Sequence, residues 1–61
     1  MIDDRELWAC ALALERQYGE AAPIHIAERI GELALQGDLE GIEAWKQIAA
    51  RFDRLQRGEA S

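Results

Sequence analysis

The sequence predicts an all-α fold: a small three-helix domain with short connections. Three observations carry this. The apolar residues recur at helical spacing, glycine breaks the pattern at Gly19 and Gly37, and the composition is poor in strand formers. Of the 61 residues, 49% are apolar, but eleven of these are Ala and there is no Val. Seven Leu and six Ile must build the core, with Trp8, Tyr18, Trp45 and Phe52. A chain rich in Ala, Leu, Glu, Arg and Gln favours helix over strand.

The first helix is expected over about residues 4–18. Asp3 followed by Glu6 matches a capping box with Asp in the place of Ser or Thr, and Asp4 adds negative charge at the positive end of the helix. Leu7, Ala11, Leu14 and Tyr18 then share one face. Gly19 stops this helix, and Glu20-Ala21-Ala22 reads as a linker. Pro23 suits a first helical position, which opens a second helix over 23–36 with Ile26, Ala27, Ile30, Leu33 and Ala34 inward. Gly37 ends it and Asp38 caps the third, over 39–56. So short a break makes helices two and three antiparallel neighbours. Ile42, Trp45, Ile48, Ala49, Phe52 and Leu55 form the stripe of helix three, and residues 57–61 read as a frayed tail of a single domain spanning 1–61. The expected core is Leu7, Ala11, Leu14, Ile26, Ile30, Leu33, Ile42, Trp45, Ile48, Phe52 and Leu55. A domain of this size nets only about 3–5 kcal/mol of stability, so self-association would help it.

Composition excludes several function classes. One cysteine, Cys10, forms no intrachain disulfide, and between Ala9 and Ala11 it reads as a buried, inert thiol. The acidic start, Met1-Ile2-Asp3-Asp4, lacks the basic-then-apolar order of a secretory signal. The longest apolar run, Leu7 to Leu14, is far short of the ~20 residues of a membrane span, so a cytoplasmic protein is expected. No glycine-rich phosphate loop occurs, and apart from Tyr18 the only hydroxyl is the terminal Ser61. A chain this short also has little room for a pocket of ~300 Å³. These observations argue against an enzyme, a cofactor or a small-molecule substrate.

His25 is the only histidine, and with Glu28 it is the nearest thing to a metal site. At about 100° per residue it turns away from the Ile26/Ile30/Leu33 face toward Glu28, Arg29 and Glu32, which makes it a surface histidine and not a ligand. Ala27 and Gly31 stand four apart, as do the alanine and turn glycine of a DNA-binding helix-turn-helix. Continuing that register, however, places Gly37 and Glu40 where a recognition helix needs apolar residues. Residues 1–45 carry ten acids against three bases, which repels a phosphate backbone. Residues 46–61 carry four bases and two acids, and much of that positive charge pairs locally, Lys46 with Glu43 and Arg57 with Asp53.

Two features exceed the needs of a simple core. Trp8 and Leu12 form a second apolar strip on helix one, and Ile24 and Leu35 lie off the main face of helix two with Gly31 beside them. Glycine inside a helix costs about 1 kcal/mol relative to Ala and persists where a backbone or a large ring approaches. Trp8, Leu12, Ile24 and Leu35 are therefore the candidate interface, with a protein partner or a second copy as occupant. Gly41, four residues before Trp45, similarly lets a neighbouring helix approach the indole.

The stretch Ile26-Ala27-Glu28-Arg29-Ile30-Gly31-Glu32-Leu33-Ala34, then Gly37-Asp38, Gly41, Trp45 and Ile48-Ala49-Ala50-Arg51-Phe52, with the opening Glu6-Leu7-Trp8-Ala9, resembles a family of short helical proteins of unknown function from sphingomonad-type alphaproteobacteria. The resemblance covers residues 6–55. It implies a small bacterial cytoplasmic protein that stands alone and is not a fragment of an enzyme, and it transfers no catalytic residues. Two functions follow from the residues. The first is a non-enzymatic protein-interaction module able to self-associate. The second is an acidic inhibitor or antitoxin-like regulator that binds a basic protein in competition with nucleic acid.

Overall fold

A computed structural model describes residues 3–58, so Met1, Ile2 and residues 59–61 of the expected tail lie outside the described residues. The described residues form a small all-α domain with no strand, measuring 33 × 25 × 16 Å. Helix α1 spans Asp4–Tyr18, a 3₁₀ turn spans Gly19–Ala21, α2 spans Ala22–Gln36 and α3 spans Leu39–Gln56.

The expectation of three separate helices needs correction at its first connection. Helical residues run unbroken from Asp4 to Gln36, so α1 and α2 are two arms of one long bent helix. Gly19 makes the bend. Its φ of 56° and ψ of −125° are open only to a residue without Cβ, and its N–H still donates to the Glu15 carbonyl. The Ala22 N–H then donates to the Gly19 carbonyl, so the chain re-enters helix at once. Glu20-Ala21-Ala22 is thus no linker, and Ala22 opens α2 one residue before Pro23.

The other punctuation forms as the residues dictate. The Asp3 carboxylate accepts from the Glu6 N–H at 2.9 Å. Gly37 adopts φ 72°, ψ 22°, its N–H bonds the Ala34 carbonyl, and the Asp38 N–H bonds the Leu33 carbonyl at 2.9 Å, a Schellman closure. Asp38 in turn caps α3 by accepting from the Gly41 N–H at 2.9 Å. At the far end Arg57 and Gly58 close α3, Gly58 donating to the Leu55 carbonyl.

Helix α3 packs against both arms, which touch each other far less. The core joins Leu7, Ala11 and Leu14 of α1, Ala22 and Ile26 of α2, and Ile48 and Phe52 of α3; Leu33 is also buried. Ala22 is fully buried although its position was read as linker. Ile30, Ile42, Trp45 and Leu55, expected in the core, are only half-buried. Three short helical segments enclose too little volume to cover a wide stripe completely. Cys10 is likewise half-buried and packs against the core edge, so its thiol is not sealed off as expected. Among the described residues no buried side-chain N or O atom lacks a partner.

Candidate interaction surface

The side of α1 that turns toward α3 is polar as well as apolar. The Asp4 carboxylate receives Arg51 of α3 through Nε at 2.8 Å on Oδ1, and the Trp8 indole N–H at 3.1 Å on Oδ2. The Arg51 and Arg54 guanidiniums stand over the Trp8 ring, 5.8 and 5.5 Å from its centroid. That distance is within cation–π range. The hydrogen bond from Arg51, helped by its charge and by Trp8, holds the Asp4 carboxyl below the usual carboxylate range. Farther along, Gln56 of α3 donates to Glu15 of α1 at 2.7 Å. Glu43 pairs with Lys46 within α3, and Asp53 with Arg57 just past its end, as their spacing implies.

His25 departs from expectation. Instead of turning to Glu28, Arg29 and Glu32, its ring stacks on Tyr18 with centroids 4.1 Å apart and planes at 15°. Trp45 meets it edge-on at 5.9 Å. The bend at Gly19 is the reason: it folds the end of α1 back over the first turn of α2, where α3 brings Trp45. Wheel geometry puts His25 about 100° from Ile26, at the margin of the buried face, and a margin residue is covered or bare according to its neighbour. Among the described residues no group of three or more His, Cys, Asp and Glu could hold a metal ion.

The four candidate interface residues fall in different settings. Trp8 is half-buried beneath the α3 arginines, and Leu12, on α1, is 41% exposed. Ile24 and Leu35 are 64% and 91% exposed, and Leu39, which the sequence reading missed, is 74% exposed. Taking Ile26 as the centre of the buried face, Ile24, Gly31 and Leu35 lie about 160°, 140° and 180° around the helix. They form the face of α2 opposite the core. Leu39 follows one turn later, at the first position of α3, and its place directly after the Asp38 cap is the signal that could have found it.

The two glycines singled out within helices behave differently from expectation. A Cβ on Gly31 would meet nothing within 4 Å, so no ring or backbone of another described segment approaches it. A Cβ on Gly41 would lie 2.7 Å from Asp38 Oδ2 and 3.0 Å from Leu33 Cδ2. Gly41 therefore makes room for the cap of its own helix and for α2, and not for an approach to Trp45.

A concavity accompanies these surfaces. An open groove of about 260 Å³ between the start of α2 and the end of α3 is lined by Pro23, Ile26, Ala49, Phe52, Asp53 and Gln56. It presents a single carboxylate, Asp53, which is paired with Arg57 at 3.1 Å. No helix among the described residues is long and apolar enough to cross a membrane.

Comparison with known families matches the profile of a family of unknown function over residues 3–60. The chain belongs to DUF6961. The match takes in all three helical segments, the two arms of the bent helix and α3. No curated protein and no solved structure matches the chain.

Proposed function

We propose that this DUF6961 chain is a non-enzymatic protein-interaction module, docking through the outward face of α2. The observation that carries the reading is the exposure of Ile24 and Leu35 on the side of α2 opposite the core, where they contribute little to packing within the chain. Large apolar side chains grouped on one helix face, bordered by charge, mark contact surfaces. Self-association is one form such docking takes. A second reading, an acidic regulator that competes with nucleic acid for a basic protein, is supported by the placement of charge. Between Glu20 and Glu43 stand six acids and one base, Arg29, so this segment alone accounts for the net charge of −5.

The test is the double variant Ile24→Ser/Leu35→Ser, compared with the parent by circular dichroism and by light scattering across a dilution series with reductant. The variant is expected to keep its helicity, with stability within about 0.5 kcal/mol, as surface substitutions do. Association of the parent at high concentration, absent from the variant, would assign the face to a second copy. Loss of helicity in the variant would give both side chains to the core and overturn the reading.

A further inference from the structure

We infer that the outward face of α2 is built to receive a basic amphipathic helix of another protein. This rests on the interaction-module reading and names the partner's chemistry.

The shape of the face selects a helix. Ile24 and Leu35 are eleven residues apart, three turns or about 16 Å along the axis, with Gly31 between them. The open space over Gly31 lowers the wall at the middle of the strip, where a partner backbone could approach closely. The backbone N–H and C=O groups in the middle of α2 are satisfied within the helix, so no strand edge is offered. An occupant must satisfy its own backbone bonds, and a helix lying along the strip with apolar residues on one face does so.

The charge selects the sign. Glu28 lies on the strip, Glu32 at its flank, and Glu20, Asp38 and Glu40 are exposed near its two ends. The only cation on α2, Arg29, is engaged with Glu32 at 3.1 Å. A second copy of this chain would bring the same acids against these. An anionic membrane surface or a phosphate backbone would be repelled for the same reason. A helix with Leu or Ile along one face and Lys or Arg beside it meets both the apolar strip and its acidic border.

The experiment uses fluorescence anisotropy with an 18-residue Leu/Lys helix whose leucines follow i, i+4, i+7, i+11 spacing. Two controls accompany it: a Leu/Glu peptide of the same pattern, and a scrambled Leu/Lys peptide of the same composition. The Leu/Lys helix is expected to bind, more weakly at high salt, and at least tenfold tighter than either control. Leu35→Ser should weaken it about tenfold, the effect of one buried leucine, and Glu28→Gln about two- to fivefold with a shallower salt dependence. Equal binding of either control, insensitivity to Leu35→Ser, or no binding at all would overturn the inference. A light-scattering dimer that Ile24→Ser/Leu35→Ser dissociates, without peptide binding, would overturn it while leaving the interaction-module reading intact.

Discussion

Asp4 shows how much one surface side chain can be asked to do. Its carboxylate sits in the first turn of α1, favourable to the helix dipole, and also anchors Arg51 from α3 and the Trp8 indole N–H. Because its pKa is lowered in the fold, its contribution to stability is complete above the ordinary value near 3.8 and is lost as the pH falls through the lowered one. Asp4→Asn should therefore lower the melting temperature at pH 7, and the gap from the parent should close as both are acidified below about pH 4, measured by circular dichroism from pH 2 to 7. Little of this was legible in the sequence. Asp4 and Arg51 are 47 positions apart, and each already had a local explanation, one at a helix start and the other near a helix end. His25 was misplaced for a related reason, since a residue at the margin of a helical face is settled by what the neighbouring element brings to it.

At the scale of elements, caps and faces could be read from the sequence because they depend on residues within four or five positions of each other. Asp3 and Asp38 perform the capping that their carboxylates imply, and Gly37 the left-handed turn that its lack of a side chain allows. The linker reading failed because glycine at a helix end leaves two outcomes open, a loop or an immediate return to helix, and short-range sequence does not choose between them. Gly31 and Gly41 give a paired prediction. Gly31→Ala, with open space at its Cβ, should stabilise the fold by about 1 kcal/mol. Gly41→Ala should destabilise it by about 1 kcal/mol, because the new methyl displaces the Asp38 cap and presses on Leu33. Urea denaturation of both variants reads the two opposite signs directly.

The whole molecule is small enough for single side chains to matter globally. Phe52 and Leu7 sit in the one core that α3 forms with both arms. Truncating Phe52 to Ala costs about 3–5 kcal/mol, comparable to the entire stability of a domain this size. Phe52→Ala should therefore be unfolded at 25 °C by far-ultraviolet circular dichroism, while Leu12→Ser, at an exposed site, should remain folded. The inward faces of this core were largely visible in the periodicity, from Leu7 and Ala11 to Ile48 and Phe52. Ala22 was not, because its burial comes from the way the arms converge and not from any pattern around it.

The unbroken passage from α1 into α2 fixes more than a path for the chain. In a loop, an added residue is absorbed as slack; in a continuous helix, each added residue turns everything downstream by about 100°. A single-residue insertion at Glu20 would rotate α2 on its axis, carrying Ile26 away from Phe52 and Leu35 from water toward the core margin. An insertion of four, close to a full turn, would nearly restore the original phase. The bend thus ties the identity of α2's two faces to chain length, so that the segment from Tyr18 to Pro23 is held in number as well as in type at Gly19 and Ala22.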